Sequence, residues 1–191
     1  YMLPHIMNGD FDEGAAGWTV RSAEEDSVFV RWAPGYGGLQ GRRRTIGAGV
    51  GDTVLVTRRA ANAPNRISQT VRELTPGRTY SVTMFITDYG EYGRGKSVED
   101  VHHATVRLEN VDLLPERSFR VVFGSGVASH SYGPFDRENQ LYITYYRDVF
   151  RAREETAEII ISDWAGEKVP GGPIGQELGF NFIQIQPYLD D

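Results

Sequence analysis

The chain has 191 residues, of which 40% are hydrophobic, and its formal net charge is −6. A chain of this length can form one domain with a real core, because it buries roughly 70% of its unfolded surface on folding. The acidic balance gives no electrostatic reason to bind nucleic acid or anionic membrane. With no cysteine in the sequence, disulfides, zinc–thiolate sites and cysteine nucleophiles are excluded.

The chain opens on the stretch NGDFDEG, residues 8–14, and Trp18 follows four residues later. Asn, Asp and Gly favour a turn in which the polar side chains cap their own backbone. The same residues could instead supply the carboxylate and carbonyl oxygens that Ca²⁺ takes as ligands. Gly17 lets a large ring turn inward at a bend, so we expect Trp18 to anchor the core.

Nine segments further along the chain alternate apolar and polar residues with the period of two that half-buried strands show. Helical periodicity is weak, and only residues 147–159 have enough of it for a turn or two. Since no helices separate the strands, parallel βαβ units are excluded, and the sequence predicts one all-β domain over residues 1–191, an antiparallel β-sandwich of two sheets. The predicted strands are residues 27–32, 52–59, 65–74, 78–88, 103–111, 117–125, 140–150, 157–164 and 180–188.

Three irregular, glycine-containing stretches interrupt these strands, at residues 33–51, 88–103 and 124–139. Long loops in compact domains tend to be functional. These loops combine aromatic rings, which can cover the apolar faces of sugars, with polar groups that can pair with hydroxyls. The alternative is that the tyrosines only decorate loops or pack on a neighbouring domain. The predicted ligand-binding residues are Trp32, Tyr36, Tyr89, Tyr92, Arg94, His130, Tyr132, Asp136 and Asn139.

Signs of catalysis are weaker than signs of binding. His102 and His103 are adjacent, so on a strand their side chains point to opposite faces and cannot chelate one ion together. No His-Glu-x-x-His motif, P-loop or dinucleotide fingerprint is present. A glycosidase needs two carboxylates at a set separation, and the acids to inspect are Glu91, Asp136 and Asp163. We expect no catalytic residues and no enzymatic activity of the domain itself.

Three segments together carry a family resemblance. They are the opening NGDFDEGAAGWTV, the central RISQTVRELTPGRTYSVTMFI at residues 66–86, and the last strand FNFIQIQPYL. This arrangement resembles the galactose-binding-like jelly rolls, including the carbohydrate-binding modules of bacterial glycoside hydrolases. In the central motif, Pro76 and Gly77 predict a tight turn from which residues 78–88 return antiparallel.

The resemblance implies a jelly-roll sandwich that acts as a non-catalytic carbohydrate-binding module and targets an attached enzyme to a glycan. Its partners would be a polysaccharide or oligosaccharide and a catalytic domain of the same polypeptide, outside the cytoplasm in the extracellular or periplasmic space. One alternative is a structural accessory domain without its own ligand, and another is a small β-sandwich polysaccharide lyase or hydrolase. Because the sequence begins at Tyr1, we expect a piece of a larger secreted protein.

The resemblance also implies a structural Ca²⁺ near the chain termini. Members of the group commonly add an aspartate from the last strand, but this chain has Asn181 there and no acid, while Asp190 and Asp191 lie later. The predicted metal ligands are Asn8, Asp10, Asp12 and Glu13.

Overall fold

The computed structural model of the protein describes residues 4–39, 51–94, 101–124 and 142–189. Over these residues the chain is almost entirely β-structure, with two short helices and one 3-10 turn. The elements in chain order are β1 (Thr19–Arg21), β2 (Val28–Trp32), α1 (Tyr36–Leu39), β3 (Thr53–Arg58), β4 (Arg66–Val71), β5 (Thr79–Asp88), α2 (Tyr89–Arg94), β6 (Thr105–Glu109), β7 (Val111–Leu113), the 3-10 turn (Pro115–Arg117), β8 (Phe119–Gly124), β9 (Tyr142–Ala152), β10 (Ala157–Ser162) and β11 (Glu177–Pro187).

Two antiparallel sheets form the layers. The four-stranded sheet has the order β1-β4-β10-β6, and the seven-stranded sheet has the order β2-β3-β11-β5-β9-β7, with β8 also pairing with β9. The predicted antiparallel sandwich is therefore confirmed, and each predicted strand segment contains a strand. The hint of helix over residues 147–159 was wrong, because this segment ends β9 and begins β10.

The core lies between the sheets, where the alternating apolar residues of both layers meet. Ile67 and Val71 of β4 face Val82 and Met84 of β5 across this core. These two strands belong to different sheets, so the turn at Pro76–Gly77 crosses from one layer to the other. The predicted antiparallel return of residues 78–88 onto the preceding strand was therefore wrong. Both strands still direct alternate residues into this core, which is why the periodicity is the same in either arrangement.

The opening stretch packs onto this core. Phe11 is fully buried, its ring lies 5.7 Å from that of Trp18, and the Trp18 indole Nε1 donates a hydrogen bond of 3.0 Å to the Asn8 carbonyl. Trp18 thus anchors the core, as predicted. Gly9 passes so close to Ile183 that a β-carbon at Gly9 would overlap the Ile183 carbonyl oxygen.

Candidate functional site

The outer face of the seven-stranded sheet carries a second apolar cluster, separate from the core. Strand β3 shows how it arises: Leu55 faces the core, whereas Val54 and Val56 face outward and are also buried. Residues of α1 and α2 cover this part of the face. The second cluster consists of Ala33, Tyr36, Val54, Val56, Phe85, Tyr92, Ile143 and Phe182.

Tyr36 is a member of this cluster and is fully buried. Its hydroxyl forms a hydrogen bond with the Thr87 hydroxyl, and burial raises the pKa of Tyr36 well above its ordinary value. The prediction that Tyr36 stacks on a sugar was therefore wrong. A tyrosine among glycines looks like a loop decoration in the sequence, but here the short helix α1 turns its ring against the sheet.

Tyr92 is corrected in the same way. Its side chain is buried, its hydroxyl donates a hydrogen bond of 2.9 Å to the Pro34 carbonyl, and burial raises the pKa of Tyr92 to about 12. The Tyr92 ring lies 5.1 Å from the ring of Tyr36 and stacks at 6.0 Å on Tyr89, which is half-buried. The structure brings these three tyrosines together as packing residues, with only Tyr89 reaching the surface.

The other predicted ligand contacts lie apart from this cluster or outside the described residues. Trp32 ends the edge strand β2 and is 71% exposed. Arg94 ends α2, and its side chain lies outside the described part of the chain. The remaining predicted contacts, His130, Tyr132, Asp136 and Asn139, lie outside the described residues.

The rest of the outer face is more open, and the strand register determines which side chains meet there. One row crosses the sheet from Gln184 on β11 through Thr83 on β5 and Arg147 on β9 to Phe119 on edge strand β8. The next row pairs Phe85 with Tyr145, whose ring centroids are 5.1 Å apart. Because side chains alternate between faces along a strand, both rows lie on the same side as the second cluster.

Rings and guanidinium groups line this open area, and the Arg117 guanidinium lies 5.8 Å from the centroid of the Tyr188 ring. The Arg147 guanidinium lies 4.3 Å from the centroid of the Phe119 ring and 5.3 Å from that of Tyr188, and the Phe119 ring lies 5.8 Å from Tyr145. All of these side chains are half-buried, and so is Gln184. We call Phe119, Tyr145, Arg147, Gln184 and Tyr188 the arginine–aromatic face.

Arg147 is the most distinctive member of this face. Its Nε atom is buried and has no hydrogen-bond partner among the described residues. Arg120 on the neighbouring strand provides a contrast, because its guanidinium lies 4.0 Å from the Tyr146 ring and forms an ion pair of 2.8 Å with Asp148. Guanidinium N–H groups without a partner beside half-buried rings can donate hydrogen bonds to a polar ligand that also offers an apolar face.

The arginine–aromatic face lies on strands, whereas the ligand contacts predicted from the sequence lie mainly in the loops. The signal was present in the strands, where QLYITYYRD and FNFIQIQPY place aromatic, cationic and amide residues at positions that face away from the core. Periodicity alone does not show that the outer face of a strand also carries a cluster or a site. Which side chains lie next to one another on that face depends on the register between neighbouring strands.

The opening stretch uses the oxygens that a calcium ion would need. The Asn8 side chain donates to the Gly14 and Ala16 carbonyls at 2.9 and 2.8 Å and accepts from the Glu13 amide at 3.1 Å. The Asn8 carbonyl already accepts from Trp18, and the Gly9 carbonyl accepts from the Ile183 amide at 2.9 Å. The Asn8 side chain therefore caps the turn, as the alternative interpretation of this stretch expects, and a calcium-ligand role of the Asn8 and Gly9 carbonyls stays a prediction.

The carboxylates of the opening stretch remain. Asp10 accepts a hydrogen bond of 3.4 Å from the Asp12 amide, and burial and the nearby Asp10 charge raise the pKa of Asp12. Within the described ranges, no group of three or more His, Asp or Glu side chains is arranged to hold a metal. The calcium ion thus stays a prediction, with the carboxylates of Asp10, Asp12 and Glu13 as the groups that would hold it.

Among the residues considered for catalysis, Asp163 and His102 are buried and hydrogen-bonded within the fold. Asp163 is buried and accepts hydrogen bonds of 2.9 and 2.8 Å from the backbone amide and side chain of Asn65. His102 is buried, with its Nδ1 atom 2.9 Å from the Thr144 hydroxyl, whereas His103 is exposed, as the alternation of neighbouring residues predicts.

Neither described helix is long or apolar enough to span a membrane.

Comparison with known proteins identifies similar folds only. No protein-family model and no curated protein sequence matches the chain. Among solved structures, the enzymatically active domain of tailspike protein 4 from bacteriophage CBA120 is similar over 97% of this chain, with 12% identity and a TM-score of 0.54. This chain spans 21% of that tailspike chain, and at this identity the likeness shows a shared fold alone.

Carbohydrate-binding modules are also among the similar structures. The TmCBM61 module, solved with β-1,4-galactotriose, is 11% identical over 98% of this chain and all of its own, with a TM-score of 0.45. The CBM22-2 xylan-binding domain of Paenibacillus barcinonensis Xyn10C is 12% identical over 94% of this chain and 98% of its own, with a TM-score of 0.38. Likenesses this distant carry no argument. The strand pairing itself shows that the chain is an antiparallel two-sheet sandwich, the fold that the resemblance to galactose-binding-like jelly rolls implies.

Proposed function

We propose that this domain binds carbohydrate through the arginine–aromatic face and, without catalysis of its own, targets an attached enzyme to a glycan. The observation that carries the proposal is the coincidence, on one sheet face, of half-buried rings with hydrogen-bonding groups. Tyr145, Phe119 and Tyr188 supply the rings, while Arg147 and Gln184 supply the polar groups. A sugar presents the same combination, because its C–H groups form apolar patches and its hydroxyls form hydrogen bonds.

A sheet face suits an extended chain better than a deep pocket does. Its side chains are spaced by the strand separation of about 4.8 Å, so successive sugar units of one polymer can meet successive side chains. Affinity should be modest, because sugar hydroxyls leave water only to be paired again on the protein. Such weak, extended binding fits a targeting role, in which an attached enzyme is held near its polymer.

The competing function is a ligand-free accessory domain that packs on a catalytic domain. One observation favours it, namely that Trp32 is 71% exposed at the end of an edge strand. A large exposed ring is a frequent interface contact. Trp32 and Phe119 belong to the opposite edge strands β2 and β8, which the strand order separates by about 24 Å, so the two surfaces can be tested independently.

Binding of the purified domain to a glycan array, followed by affinity gels with the polysaccharides that respond, tests the proposal. We expect Tyr188→Ala to weaken binding about tenfold, the value of one ring contact. Trp32→Ala serves as the matched control and should bind like the unchanged protein. Silence across neutral and acidic polysaccharides would overturn carbohydrate binding, and loss of binding in Trp32→Ala alone would overturn the location.

A further inference from the structure

The charge on Arg147 is unbalanced by its surroundings. The nearest acid along the chain, Asp148, points to the other side of the sheet and is paired with Arg120 at 2.8 Å. The acid Asp112, on the strand that pairs with the end of β9, is paired with Arg153 at 2.6 Å. Arg147 has no ion pair among the described residues, and its buried Nε has no hydrogen bond there.

The two flanking rings hold the guanidinium group in place. Arg147 lies 4.3 Å from the Phe119 ring centroid and 5.3 Å from that of Tyr188. Stacking against rings fixes the plane of the guanidinium while leaving the N–H groups at its edge able to donate. A planar cation with a fixed orientation matches a carboxylate, because two parallel N–H···O hydrogen bonds can form at once.

We propose that the glycan bound by the arginine–aromatic face carries a carboxylate, as in a uronic acid, and that Arg147 pairs with it. This inference rests on the proposed carbohydrate-binding function and adds the chemical class of the sugar. The sugar ring would lie against Tyr145 or Tyr188, and its carboxylate would meet the edge of the guanidinium. Since the whole chain has a net charge of −6, it repels polyanions in general. Binding of an acidic polymer would therefore require a local positively charged site.

The experiment measures affinity for polygalacturonate and alginate beside their carboxyl-reduced forms, which keep the sugar backbone but lack the charge. We expect the acidic forms to bind roughly 10- to 100-fold more tightly than the reduced forms, the range for a charge-assisted hydrogen-bonded pair. Added salt should weaken this preference. Dextran sulfate and polyglutamate are the remaining probes, because they carry negative charge without a sugar carboxylate.

Two variants locate the effect. Arg147→Gln should lose the preference for the acidic form while it keeps residual affinity for the reduced form, and Arg147→Lys should keep only part of the preference because it lacks the planar fork. Arg21→Gln makes the same change of charge on an exposed strand of the other sheet and should keep the full preference. Melting curves of all variants show whether each one is folded.

The outcomes separate this inference from the proposed function. Equal binding of acidic and reduced polymers would overturn the carboxylate and leave carbohydrate binding intact, whereas no binding to any glycan would overturn both. Dextran sulfate or polyglutamate binding as tightly as polygalacturonate would also overturn the inference, because charge alone would then suffice. A preserved preference in folded Arg147→Gln would overturn the role of Arg147.

Discussion

The buried side chain of Asp163 is tied to Asn65 by two hydrogen bonds, one of 2.9 Å from the backbone amide and one of 2.8 Å from the amide side chain. Asn65 in turn accepts at its Oδ1 from the Ser27 hydroxyl at 2.6 Å and from the Ala23 amide at 2.8 Å. Arg59 donates from Nε to the Asp163 carbonyl at 3.1 Å. This network joins three chain segments and supplies hydrogen bonds to a carboxylate that would otherwise be buried without donors.

Asn65→Ala should lower the free energy of unfolding by about 3 kcal/mol, because it leaves the buried Asp163 carboxylate short of donors. Chemical denaturation monitored by tryptophan fluorescence measures the change. Asn62→Ala, an exposed asparagine three residues earlier, is the matched control and should change stability by less than about 0.5 kcal/mol. Equal stability of the two variants would contradict the structural role of the network.

Tyr36→Ala should destabilise the fold by about 3–5 kcal/mol, since it opens a cavity in the second cluster. Tyr36→Phe should cost about 1 kcal/mol, because it removes only the hydrogen bond to Thr87. Glycan affinity of the folded Tyr36→Phe variant should be unchanged. A weakened affinity in a variant of normal stability would mean that Tyr36 contacts the ligand after all.

Gly9→Ala should destabilise the protein by at least about 1–3 kcal/mol, since the added methyl group meets the Ile183 backbone, which cannot move aside as a side chain can. Gly166→Ala is the matched control, because its added β-carbon would find its nearest neighbour, Val169, at an ordinary 3.9 Å. Thermal unfolding of both variants checks the prediction. Tolerance of Gly9→Ala would mean that the opening turn does not sit against β11.

Alkaline pH should destabilise the fold through Tyr92. Burial raises the pKa of Tyr92 from 10.0 to about 12, so the folded protein keeps a proton that the unfolded chain releases. Stability is therefore full below pH 10 and falls as pH rises from 10 toward about 12. Unfolding free energies measured across this window should fall less steeply in Tyr92→Phe. An identical slope would contradict the burial of Tyr92.

Calcium is tested through Asp12. Because burial and the Asp10 charge raise the pKa of Asp12 above 3.8, its ionisation lowers stability as pH rises from 3.8 through the folded pKa, and at neutral pH Asp12→Asn should raise the melting temperature in a calcium chelator. If Asp10 and Asp12 bind Ca²⁺, saturating CaCl₂ should raise the melting temperature of the unchanged protein and leave that of Asp12→Asn nearly unchanged. No calcium effect on the unchanged protein would refute the metal.

Some features of the fold could be predicted because they depend on local patterns. Alternation in segments such as residues 52–59 and 78–88 predicts strands wherever one face must be buried, and the absence of helical segments between them excludes a parallel sheet. Trp18 could be predicted as a core residue, because burying a large apolar ring is favourable and Gly17 lets the chain bend so that the ring turns inward. The turn at Pro76–Gly77 was predicted from its residues, whereas its crossing from one sheet to the other was not.

The site could not be predicted in the same way, because its parts come from strands distant in sequence. Arg147 and Phe119 meet through the pairing of β8 with β9, and Tyr188 arrives from the end of β11. Conversely, Tyr36 and Tyr92 look exposed among glycines, and only the sheet beneath them makes them interior. Period-two hydrophobicity, on its own, determined that this protein is an antiparallel sandwich. The register between strands decided which aromatic rings are buried and which rings flank Arg147, because both depend on neighbours that the local sequence does not contain.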